Sequence, residues 1–240
     1  MRASGNAVVR ATELAFRGRF DAALAALPLN RTSERSVWVQ AYVASSRGGF
    51  DRALELAVPL ARSARAREAR VAASITVASA LRQTGKHARA EAWDRAALEG
   101  ARTDVEKAHA LIGLAADAIG RGRIVACRRR LAAATDLERD WRAQVRLDWV
   151  RVELALTSGR AAHGLEAAKR AVALSREADA LRHVAKSRLF YGVALADAGF
   201  TERSHRELSS ALRGARACGA ARVAHVAHDV LSQKGFAAAG

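Results

Sequence analysis

The chain has 240 residues, half of them hydrophobic but only 5% aromatic, with 27% charged residues, two prolines and two cysteines. That composition excludes a collagen, a disordered tail and a disulfide scaffold, and a globular chain of this size buries on the order of 70% of its unfolded surface. Lysine and arginine number 40 against 24 acidic residues, a formal charge of +16 and a pI near 11.3, which bears on partners and solubility rather than on fold.

Only five of the 40 basic residues are lysine: Lys86, Lys107, Lys169, Lys186 and Lys234. Excess alanine and arginine with little lysine is also what a GC-rich genome produces, so part of the charge has an explanation without a polyanionic partner. The longest near-apolar stretch, Val71 to Leu81, is about half of the roughly 20 residues that span a bilayer. Met1-Arg2-Ala3-Ser4-Gly5-Asn6 lacks the charged start and apolar run of a signal peptide. A soluble, cytoplasmic protein with no membrane partner is expected.

In chain order the elements read as helix throughout. Alanine and leucine are strong helix formers, and both prolines, Pro28 and Pro59, fall in the first quarter. No segment sustains period-two alternation, whereas apolar residues recur at three- and four-residue spacing, as in Ile112, Ala115, Ala116 and Ile119. Six segments then run, one after another, into a glycine: Gly18, Gly48, Gly85, Gly122, Gly159 and Gly199. Ten positions before these stand Val8, Trp38, Ile75, Ile112, Trp149 and Leu189, all large and apolar. Seven before stand Ala11, Ala41, Ala78, Ala115, Val152 and Gly192; five after stand Ala23, Ala53, Ala90, Cys127, Gly164 and Ser204. A glycine ends the first helix of each pair, small residues let two backbones approach, and the large residue fills the layer between neighbouring pairs. The short first spacing and Pro28 predict a truncated first hairpin. Pro59 is expected to end or kink its helix near Ala57. The segment from about 220 to 234 is the predicted capping helix, with Val223, Val226, Val230 and Leu231 on its dry side. The fold expectation is all-α: one domain over residues 1–240, built of about six helical hairpins plus the cap.

Gly18-Arg19-Phe20-Asp21-Ala22-Ala23-Leu24 and Gly48-Gly49-Phe50-Asp51-Arg52-Ala53-Leu54 resemble the turn and second-helix start of the tetratricopeptide repeat. The family's small residue late in the second helix is matched by Ala97, Ala134, Ala171 and Ala211. The spacing exceeds the 34-residue family period and is similar to the helical-repeat regions of large LuxR-type ATP-dependent regulators. The segment Leu212 to Arg222 resembles their last repeat helices. The chain has no G-x-x-x-x-G-K-[ST] loop and ends at Gly240 with no helix-turn-helix, so a stand-alone repeat domain is expected. The resemblance implies a right-handed superhelix whose first helices line a concave, partner-binding face, with a transcriptional or signalling role.

On that geometry Arg35, Arg146 and Lys186 form a broken basic ladder, with Arg82, Tyr42 and His109 nearby, suited to a partner segment carrying carboxylates. The lysine–asparagine clamp some relatives use for a C-terminal carboxylate is not expected, because the column ten before each glycine is apolar and the only asparagines are Asn6 and Asn30. A second cluster, Arg121, Arg123, Arg128, Arg129 and Arg130, surrounds the fourth turn, either as a solvated convex face or as a phosphate-binding surface of a nucleic-acid module. Low aromatic content argues against a base-stacking platform. A self-associating scaffold, stacking through its N-terminal hairpin, is the third reading.

Catalysis is not expected. No H-E-x-x-H and no G-x-S-x-G occurs, and no cofactor or metal site is expected. His225 and His228 lie three apart, with Asp229 expected off their common face. Cys127 and Cys218 read as core or helix-end residues without a base partner. The tryptophans read as packing residues.

Overall fold

The computed structural model describes residues 2–29 and 32–233 of the chain. These residues are helical, with no strand among them. The chain divides between Asp140 and Trp141 into two compact units. The first holds α1 (Arg2–Phe16), α2 (Phe20–Ala25), α3 (Glu34–Arg47), α4 (Phe50–Ser63), α5 (Arg67–Gln83), α6 (His87–Gly100), α7 (Asp104–Gly120) and α8 (Ile124–Thr135). The second holds α9 (Trp141–Thr157), α10 (Leu165–Glu177), α11 (Leu181–Asp197), α12 (Thr201–Ala217) and α13 (Ala221–Gln233), with a 3₁₀ turn, Ala161–Gly164, ahead of α10.

Within each unit a helix packs on its successor, and the odd-numbered helices also pack on one another: α1 on α3, α3 on α5 and α5 on α7 in the first unit, α9 on α11 and α11 on α13 in the second. The six expected turn glycines all adopt positive φ, from 65° at Gly159 to 98° at Gly48. At Gly48 the left-handed residue lets Gly49 N–H donate to the Ala44 carbonyl at 2.9 Å and Gly48 N–H to Ser45 at 3.2 Å, closing the end of α3. Asp179 (φ 48°) makes the corresponding bend between α10 and α11, a conformation that aspartate tolerates better than most residues.

The small-residue columns lie where the helices meet. Ala11, Ala41, Ala78, Ala115, Val152 and Gly192 are buried, as are Ala23, Ala53, Ala90, Cys127, Gly164 and Ser204. Of the two glycines in these columns Gly192 is the more closely approached: a Cβ placed on it would lie 2.6 Å from Leu208 Cγ on α12. The Ser204 hydroxyl, which could have been an orphan there, donates to the Gly192 carbonyl at 2.8 Å. In the large column, Trp38 donates its indole N–H to Thr76 Oγ1 at 3.1 Å, joining α3 to α5, and Trp149 donates to Ser187 Oγ at 2.8 Å, joining α9 to α11. Each tryptophan thus packs between successive odd helices and satisfies its one donor there.

Carboxylates close several of the connections. Glu34 accepts from the backbone N–H groups of Arg65 and Ala66 at 2.5 and 3.1 Å, which lowers its pKa. Thr103 and Glu106 form a reciprocal capping box at the start of α7. Glu106 also holds Arg67 at 2.8 Å; burial opposes its charge, but Arg67 and the N–H groups of Arg102 and Thr103 outweigh that and bring it to about 2.

Three expectations meet the structure differently. The α2 helix is indeed short, six residues. Pro59 does not end its helix, since α4 runs on to Ser63; the proline is exposed, so the backbone acceptor it leaves without a partner lies toward water. Asp229 is not off the histidine face: it lies 3.2 Å from His225 Nε2, four residues earlier and so one turn away, and 3.7 Å from His228 Nδ1. Helix α13 occupies the predicted capping segment, with Lys234 outside the described residues.

The close approach at Gly192 gives a paired prediction. Gly192→Ala is expected to lower stability by about 1–3 kcal/mol through overpacking. Gly214→Ala, whose new methyl would meet Ala185 Cβ at an ordinary 3.6 Å, should be neutral or gain up to about 1 kcal/mol as the glycine penalty is removed. Thermal melting of the two variants beside the parent checks both signs.

Candidate functional site

The residues expected to face a partner lie on odd helices in both units. In the first unit, Arg35 and Tyr42 are on α3, Arg82 is in the last turn of α5 and His109 is on α7. Arg35 is exposed and makes no ion pair among the described residues. Tyr42 belongs to an aromatic group, its ring 5.3 Å from Phe16 and 5.9 Å from Trp38. Arg82 is already engaged. Its guanidinium holds Asp94 of α6 and, at 2.8 Å, Asp117 of α7, and both carboxylates are fully buried. His87 Nδ1 stands 3.5 Å from Asp117. Gly113 leaves the room this requires, since a Cβ there would overlap the Asp94 carboxylate. His109 is buried with Nε2 3.2 Å from Asp140. Arg82 and His109 are therefore organised by internal carboxylates, while Arg35 is the outward-facing cation of this set.

In the second unit, Arg146 (α9) and Lys186 (α11) fall beside an aromatic group that sequence spacing marks only as packing. Lys186 Nζ sits 4.4 Å from the centroid of Trp149 and 5.7 Å from that of Phe190. His183 stacks on Trp149 at 5.5 Å and meets Trp141 edge-on at 5.0 Å. Burial drives the His183 pKa well below the usual imidazole value, and the charges of Arg182, Arg142, Lys186 and Arg146 add to the shift. The imidazole is neutral at pH 7, and its Nδ1 has no hydrogen-bond partner among the described residues. Two helices thus present four cations in i,i+4 pairs, Arg142 with Arg146 and Arg182 with Lys186, around an aromatic layer. Sequence reasoning missed His183, Arg142 and Arg182; the i,i+4 spacing was the signal that could have found the two arginines.

The arginines of the fourth turn separate into two sets. Arg121, Arg123 and Arg130 converge, with Arg95 of α6, on one buried carboxylate, Glu91, at the first turns of α6. Arg95 and Arg130 reach Oε1 at 2.8 and 2.9 Å, while Oε2 takes Arg121 and, at 3.6 Å, Arg123. Arg130 also donates to the Leu114 carbonyl at 2.7 Å. Burial alone would raise the Glu91 pKa, but hydrogen bonds from Arg95, Arg130 and Arg121 overcome it and hold the group at about 2. Arg128 and Arg129 are exposed and make no ion pair among the described residues.

In the second unit Asp148, fully buried, plays a similar part, taking Arg170 at 2.8 Å and Arg151 at 3.1 Å. Cys127 and Cys218 are buried and not in a disulfide, and burial pushes the Cys218 thiol upward, away from a reactive thiolate. No protein-family model matches the chain, and no curated protein matches it either.

The Glu91 centre makes a pH-dependent prediction. A carboxylate whose pKa is depressed on folding contributes stability that is complete above its unfolded value and lost as pH falls through the folded one. Glu91→Gln is expected to cost about 3 kcal/mol at neutral pH, as for a buried pair broken on one side. The gap to the parent should narrow below pH 4.5 and close near pH 2. Denaturant titrations across that range measure it.

Proposed function

We propose that the helix pairs are six tetratricopeptide-like hairpins winding into a right-handed superhelix, and that the chain is a non-enzymatic scaffold binding a protein or peptide segment on its odd-numbered helices. The observation that carries this reading is the α9–α11 face. There Trp149, Phe190 and Lys186 form a layered cation–aromatic group, and Arg142, Arg146 and Arg182 crowd positive charge around a neutral, buried His183. Arginine is among the residues most enriched where binding energy concentrates, and the buried Trp149 seats the Lys186 ammonium from below. The charge selects a segment with Asp or Glu side chains, which arginine can grip with two parallel hydrogen bonds and lysine as a point charge. The exposed Arg35 extends the same preference to the first unit. A transcriptional or signalling role is the setting that the resemblance to LuxR-type regulators implies.

A display library of random peptides selected on the purified protein tests the reading. Enrichment of acidic sequences, with at least about tenfold weaker binding to the Arg146→Glu/Lys186→Glu variant at unchanged helicity and melting, is the expected result. Selected peptides that bind the variant equally well, or that carry no acidic bias, would defeat it.

A further inference from the structure

From the first unit we infer a second binding surface, independent of the α9–α11 face: the arginine cluster organised by Glu91 is a docking surface for the phosphate backbone of double-stranded nucleic acid. The argument begins with donor arithmetic. An ionised carboxylate accepts at about four lone-pair positions, whereas every guanidinium carries five N–H donors. Arg95, Arg121, Arg123 and Arg130 all bind Glu91, which leaves most of their donors unanswered by that carboxylate and three positive charges in surplus. The other buried acids are far less oversubscribed: Asp148 has two arginines, and Asp94 and Asp117 share Arg82. Four like charges held around one anion repel one another, so each further arginine adds less to fold stability than the one before.

The surplus faces outward. Arg95 and Arg123 keep 60% and 49% of their side-chain surface in water while still touching Glu91. Their positions are therefore fixed from behind while their free edges stay available, which removes part of the ordering cost of gripping an anion. Elsewhere on the solvent side of α8, Arg128 and Arg129 are exposed and make no ion pair among the described residues, and α8 contains no acidic residue. Arg123 and Arg129 border an open depression of about 510 Å³ along the first turn of α8. The cations thus extend over more surface than a single phosphate group covers.

The chemistry points to backbone rather than base recognition. Guanidinium groups suit phosphate oxygens, and such contacts give affinity without sequence selectivity. Among the described residues the four tryptophans that could stack on bases lie elsewhere, Trp38 and Trp149 between odd helices, Trp141 against His183 and Trp93 packed against the core around Val77 and Leu81. A duplex, which presents phosphates and hides base faces, is the form that fits.

Fluorescence anisotropy of a labelled DNA duplex, titrated over a range of salt, tests the surface. The Arg128→Glu/Arg129→Glu variant should fold as the parent does, because neither side chain makes an ion pair, and circular dichroism verifies this. It is expected to bind more weakly and to reduce the slope of log affinity against log salt by about two, near 0.9 for each phosphate no longer neutralised. Arg213→Glu/Arg216→Glu, the same charge change on exposed α12 positions, should leave the slope nearly unchanged. Equal losses in the two variants would show attraction to net charge alone and overturn the assignment. So would an unchanged slope in the first variant, absence of duplex binding at physiological salt, or displacement of the duplex by polyglutamate at matched charge.

Discussion

How near two helical backbones can come governs the rest of this molecule. Where Gly192 faces Leu208, not even a methyl group fits, and alanine, cysteine, glycine or serine stands five residues after the turn glycine in each of the six pairs. Backbones drawn together in this way exclude water with little side-chain bulk, and so an alanine-rich chain with 5% aromatic residues still builds a core. Large residues fill the space between successive odd helices as well. There Trp38 and Trp149 supply both area and a satisfied indole hydrogen bond.

Close helices also bring acidic side chains into places that water cannot reach, and these acids organise the cations. Asp94, Asp117 and Asp148 are fully buried and Glu91 nearly so. Each is a cost unless it is paired. Arginine is suited to that task because its long stem lies along apolar surface while the guanidinium reaches inward with several donors. Part of the chain's basic character is therefore tied to its interior. Around Glu91 the four arginines exceed what one carboxylate can balance in charge.

The helical character, the turns and the facing small residues were legible in the sequence because they recur at fixed spacing. Each such column records a local rule of geometry: positive φ at Gly48 or close approach at Ala78. The carboxylate centres were not legible, because Glu91 meets Arg121 and Arg130 across 30 and 39 residues. A run such as Arg128 to Arg130 looks uniform in sequence, yet the first two are exposed and the third is drawn inward to Glu91 and the Leu114 carbonyl. Of the two outcomes expected at Pro59 the helix end does not occur, and Asp229 does not lie off the histidine face. The proline rule took no account of a solvent-facing position, and the histidine spacing was read without the one-turn partner of His225.

The Glu91 centre also bears on how far this chain's arginine content reflects its coding sequence. A guanidinium that shares one carboxylate with three others must offer donors in a fixed plane, and an ammonium group cannot reproduce that geometry. Arginines such as Arg52 and Arg206, paired with acids in open solvent on their own helices, carry no such requirement. The chain thus holds two chemically distinct classes of the same residue. One is exchangeable for lysine with little consequence; the other is fixed by what lies beneath it.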